Sequence, residues 1–204
     1  MRKAWILIVI LVALAALWAW PYYGAYSLAK AAERGDAPAV SAQVDFPNLR
    51  RSVARQIVRT YLRESGRGEK MGALGRGMAV AVGTTVAEPY LAELLSPDAI
   101  TTLLGAGRMK PITVENRTIG FDGKLPSLPE VLSGQTAAVL LHSYYDGFIS
   151  FVFNVADKDV GADDYGVHLR LNGLTWVLSG IDLPRNLLDR IVADIVAKEK
   201  ASQS

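Results

Sequence analysis

From Ala4 to Trp20 the chain reads AWILIVILVALAALWAW, 17 residues without charge, glycine or proline. A helix crossing a hydrocarbon core ~30 Å thick needs ~20 mostly apolar residues. The uncharged stretch Pro21 to Tyr26 extends the run into that range. Trp18, Trp20, Tyr22, Tyr23 and Tyr26 gather at its far end, where amphipathic rings favour the headgroup level. A cleaved signal peptide would show a small-residue site after its apolar run. The exit here is crowded with Trp and Tyr, so the stretch is expected to stay as a membrane anchor over residues 1–24, touching the bilayer through residues 4–23.

Behind the anchor the pattern has helical period to about residue 110, so the first part of the domain, 25–110, is expected to be mainly helical. The Ala-rich stretch Ala25 to Arg34 suggests a helix ended by Gly35, and Asp36 is placed to cap a short helix over Ala37 to Gln43. A third helix is predicted from Pro47 to Leu62, with Leu49, Val53, Ala54, Ile57, Val58 and Tyr61 on one side. Arg51, Arg55, Arg59 and Arg63 repeat every four residues on the other, with Arg50 nearer the apolar side. Ser65 to Gly77 reads as a Gly-rich linker or helix start. Met78 to Leu95 reads as a helix broken near Pro89. Ser96 and Pro97 then open a further helix.

After Lys110 the period becomes two, and 111–183 is expected to be mainly antiparallel sheet. Ile112 to Asn116 and Thr118 to Phe121 are short predicted strands. Val139 to Tyr145 and Phe148 to Val155 flank Asp146-Gly147, while Val167 to Leu171 and Leu174 to Asp182 flank Asn172-Gly173. Both dipeptides suit two-residue hairpin turns. The register this implies sets Leu171, Leu169 and Val167 against Leu174, Trp176 and Leu178. It also sets Tyr144, His142 and Leu140 against Ile149, Phe151 and Phe153. The first hairpin is apolar on both faces, as in a central pair covered on both sides. Pro184 opens a last helix, 184–201. The fold class is therefore α+β: one domain, 25–204, of helices on a curved antiparallel sheet.

Charge narrows the partners. The net charge is +2, and Arg2 and Lys3 account for it, so the rest of the chain is neutral. No overall basic field exists to hold nucleic acid. Residues 21–80 carry 10 basic and 5 acidic side chains and residues 81–165 carry 5 and 11. This asymmetry, with the Arg51, Arg55, Arg59 and Arg63 stripe, suits a basic face turned to anionic lipid headgroups; the competing reading is a solvated helix face. The Lys/Arg bias places the amino terminus in the cytoplasm and the domain on the periplasmic or outer side of the cytoplasmic membrane. The absence of cysteine excludes disulfides and thiolate chemistry, and two histidines are too few for a His-rich metal site. No cofactor is implied.

His142 heads the candidate site residues: with Tyr144 and Phe151 it would line an apolar pocket for a lipid, peptide or protein partner. A satisfied core histidine is the alternative, because the register brings it no carboxylate to orient it as a base. His168 and Arg170 fall on a polar face. Asp157 to Asp164 is acidic but lacks the spacing of a calcium loop.

Tyr22-Tyr23-Gly24-Ala25-Tyr26-Ser27-Leu28-Ala29-Lys30-Ala31-Ala32-Glu33-Arg34-Gly35-Asp36, then Val44-Asp45-Phe46-Pro47 and Arg50-Arg51, with the later Gly173-Leu174-Thr175-Trp176 strand, resemble the bacterial family called domain of unknown function 2939. The resemblance implies a membrane-anchored protein with no assigned activity, so no catalytic residue carries over. The two-hairpin end is also similar to cone-shaped folds of the nuclear-transport-factor-2 type. The expectation is thus a non-catalytic, ligand-, lipid- or protein-binding domain. A hydrolase-like enzyme built on His142, or on His168 with the acidic loop, is one alternative. A structural subunit of a membrane complex is the other.

Overall fold

The computed structural model describes residues 2–108, 112–114, 117–119, 127–129, 143–155 and 165–202. Five helices come first: α1 (Arg2–Glu33), α2 (Ala37–Ala42), α3 (Phe46–Glu64), α4 (Ala73–Leu94) and α5 (Pro97–Ala106). Strands β1 (Ile112–Val114) and β2 (Arg117–Ile119) pair with each other. Strands β3 (Ser143–Tyr145), β4 (Ser150–Val155), β5 (Tyr165–Asn172) and β6 (Thr175–Asp182) form an open antiparallel sheet in sequential order, and α6 (Arg185–Ser202) follows. The class is α+β, as the change of period predicts.

Local chemistry sets the helix ends. Asp36 caps α2 by accepting from Ala39 N–H at 3.0 Å, and Asp45 caps α3 by accepting from Asn48 N–H at 3.2 Å. Ser96 caps α5, with Pro97 in its first turn. Gly35, at φ 68°, supplies the left-handed residue that ends α1. Arg50 reaches across to α4 and donates to the Ala92 and Leu95 carbonyls, among the last carbonyls of that helix, which lack helical partners.

Two helices run farther than predicted. α4 is continuous from Ala73 to Leu94, without the expected break. α1 passes through Pro21-Tyr22-Tyr23-Gly24 without ending, so the apolar run and the helix that follows it are one 32-residue helix. Proline lacks an N–H, which leaves the carbonyl four residues earlier, Leu17, without its helical donor. The Tyr145 hydroxyl fills that place, donating to the Leu17 carbonyl at 2.7 Å.

The core gathers on one face of the sheet. Ala25, Leu28 and Ala32 of α1, Val40 of α2, Leu49 and Val53 of α3 and Ile100 and Leu104 of α5 pack with Phe151, Phe153, Leu169, Trp176 and Leu178. Gly24 lets α1 approach Trp176: an added Cβ would lie 2.6 Å from the Trp176 Cβ. Val152, pointing to the opposite face of β4, is buried too, as a central strand covered on both sides requires. Segment 43–45 lies along β6: Asp45 N–H donates to the Leu178 carbonyl at 2.7 Å, and Leu178 N–H donates to the Gln43 carbonyl at 2.9 Å. Nearly three turns into α3, Gln56 donates to the Ile181 carbonyl at 2.7 Å and accepts from Leu183 N–H at 2.9 Å.

Both hairpin registers differ from expectation. In the second, Asn172 pairs with Thr175, so Gly173 and Leu174 form the turn, and Leu171 faces Trp176 rather than Leu174. A shift by two keeps every side chain on its face. It leaves Leu174 exposed, and a bulge at His168/Leu169 brings Val167 opposite Ile181. In the first, Tyr145 pairs with Phe151 and Tyr144 with Val152, because residues 146–149 make a longer loop. That odd shift exchanges the faces: Tyr145 lies with Phe151, and Tyr144 points the other way.

Candidate functional site

The residues expected to share an apolar pocket do not all come together. Phe151 is 0% exposed, enclosed by Tyr22, Tyr145, Phe153 and Trp176 with ring centroids 4.8–6.4 Å away. Tyr144 is 51% exposed and on the opposite face. His142 and the acidic segment 157–164 lie outside the described residues. Burial, with the nearby Tyr22 phenol adding to it, pushes the Tyr145 phenol above its ordinary value, which keeps it protonated and able to donate to Leu17.

The polar face holds a cleft of about 410 Å³ instead. One wall is the α3 face carrying Asn48, Ser52, Arg55, Gln56 and Arg59. The other is the outer face of the sheet, with Ile149, Ser150, His168, Arg170, Ser179 and Asp182. Glycines make the walls fit. Gly180 stands opposite His168 and beneath Ser52, whose Oγ would lie 3.1 Å from an added Cβ. Gly166 stands opposite Asp182, where a Cβ would meet the carboxylate at 2.7 Å. The space left by these two glycines lets His168 and Asp182 meet diagonally across β5 and β6, with Nε2 2.6 Å from Oδ2. The bulge leaves Ser179 as the extra residue of β6, a usual way to re-aim side chains next to a site. Its hydroxyl donates to the His168 carbonyl at 3.3 Å.

The arginine stripe divides. Arg51 donates to Asn48 Oδ1 and stands 4.0 Å from Glu88. Arg63 bonds Glu64 and, at 2.9 Å, Asp189 of α6. Arg55 and Arg59 line the cleft, joined by Arg170 from β5, and none of the three forms an ion pair among the described residues. Three guanidinium groups thus face one carboxylate, Asp182, which His168 already engages. A recess with one sign of charge and low-dielectric walls concentrates ions of the opposite sign. The stripe was legible in the sequence. Its division was not, since that depends on which α3 residues overhang β6, and Arg170 gave no signal beyond its polar face. Among the described residues no cluster of His and carboxylate side chains could hold a metal ion.

The family model described as protein of unknown function (DUF2939) matches residues 10–103, in agreement with the resemblance of residues 22–51. The match runs from the apolar half of α1 into α5, so it includes the α3 wall of the cleft and stops before the sheet wall. No curated protein and no solved structure matches the chain.

Proposed function

We propose that the chain is a single-pass protein of the cytoplasmic membrane whose outward domain binds a small anion between α3 and the sheet without transforming it. The observation that carries this reading is the convergence of Arg55, Arg59 and Arg170 on one cleft with no ion-pair partner among the described residues. The anchor supports the setting: α1 is long and apolar enough to cross a membrane, and it enters the domain core without a joint.

The test is calorimetric titration of the full chain in micelles with inorganic phosphate. A charge-assisted hydrogen bond contributes ~1.5–3 kcal/mol, so Arg59→Gln is expected to weaken binding about tenfold or more. No saturable binding, or equal affinity in the variant, removes the anion reading. Orientation has its own test. The chain has no cysteine, so Leu174→Cys gives a single thiol on an exposed turn. It should react with a membrane-impermeant maleimide in intact cells; reaction only after lysis reverses the orientation.

The hydrolase alternative now attaches to His168, whose carboxylate partner Asp182 is one a general base could use. A hydrolase of the side-chain-nucleophile type also needs that nucleophile on the second ring nitrogen, and no described side chain is hydrogen-bonded there. The binding reading is therefore preferred.

A further inference from the structure

The apolar part of α1 is partly taken up by the domain. Residues 5–19 are exposed, whereas Trp20 is half-covered and Pro21 is buried. From Ala4, where the apolar run begins, to Ala19 is 16 residues, which at a rise of 1.5 Å extend ~24 Å, some 6 Å short of a ~30 Å hydrocarbon core. A bilayer of ordinary thickness would therefore reach the side of the domain where α1 leaves it.

The β3–β4 loop stands at that place. Tyr145, which immediately precedes the loop, is fastened to the Leu17 carbonyl, inside the apolar run. Phe148, three residues on, is 98% exposed, and its neighbour Ile149 is 47% exposed. A large ring held almost wholly in water has no packing role in the domain. Its tether to Leu17 fixes it beside the lipid-facing helix.

We propose that the β3–β4 loop is a second membrane contact: Phe148, with Ile149 behind it, inserts at the boundary between headgroups and acyl chains of the bilayer that α1 spans. The occupant is lipid, because the loop is continuous with the span and the span lacks the length that the loop would supply. Insertion also explains Tyr145 at this position, since an aromatic hydroxyl suits the polar edge of a membrane. Ile149 lines the cleft, so insertion would place the cleft beside the headgroup layer. This inference rests on α1 being a membrane span. It does not depend on what the cleft binds.

The test uses the full chain in lipid nanodiscs with single cysteines at Phe148→Cys and, separately, Ile10→Cys, each carrying an environment-sensitive fluorophore. Emission is compared with and without lipids bearing a nitroxide near the top of the acyl chain. The Phe148 probe should shift to the blue and lose emission to the nitroxide lipids. If the Ile10 probe is quenched and the Phe148 probe keeps a water-like spectrum, the loop is not inserted, the bilayer has thinned to fit α1, and the anchor reading survives alone. If neither probe responds, the span reading fails and takes this inference with it.

Discussion

Replacing Phe151 with alanine is expected to cost about 3–5 kcal/mol of folding stability. The ring is completely buried and joins separate parts of the molecule: Tyr22 from α1, Tyr145 from β3, Phe153 from its own strand and Trp176 from β6. Truncation removes the transfer free energy of the ring and leaves a cavity that four large neighbours cannot fill without moving. The check is denaturant unfolding of the full chain in micelles, read by tryptophan fluorescence, with Tyr144→Ala as comparison. Tyr144 is half exposed on the other face, and a surface change of that kind stays within about 0.5 kcal/mol. The pair also tests the register. A two-residue turn at Asp146-Gly147 would put Tyr144 and Phe151 on one face, and their costs would then be similar.

Tyr145→Phe should cost about 0.5–1.5 kcal/mol, the net contribution of a typical hydrogen bond, here the one to the Leu17 carbonyl. The reason lies 124 residues earlier in the chain, at Pro21. Without that proline, residue 21 would donate its own N–H to the Leu17 carbonyl and the tyrosine hydroxyl would be redundant. In a Pro21→Ala background, Tyr145→Phe is therefore expected to be nearly neutral. A double-mutant cycle in micelles measures the difference, and directly coupled pairs typically show about 0.5–3 kcal/mol. Additive costs would mean that the hydroxyl does not stand in for the missing helical bond.

Much of the fold was legible because its causes are local. Asp36, Ser96 and Pro97 start helices, and Gly35 ends one, for reasons contained within a few residues. The turn dipeptides located both hairpins but not their registers. Gly173 takes φ 61° as the first of two turn residues, with Leu174 as the second, whereas the sequence reading made it the second after Asn172. A Gly at the first central position belongs to the other favoured hairpin turn, and the dipeptide does not distinguish the two. The sequence carries the apolar run through Pro21 but does not say what makes up for the carbonyl that a proline leaves without a donor. What makes up for it is a tyrosine in β3. The cleft was hidden for the same reason. Arg55 and Arg59 are sequence neighbours of Arg51 and Arg63, and only the seating of Ser52 over Gly180 sorts them into different surroundings.

The short segment beside β6 has a consequence for aggregation. β6 is the last strand of an open sheet, and the free backbone of such a strand is a template on which another chain can add. Residues 43–45 occupy the Leu178 amide and carbonyl, and Gln56 occupies the Ile181 carbonyl and the Leu183 amide just beyond the strand. That side of the sheet is closed to strand exchange by the chain's own backbone and one glutamine.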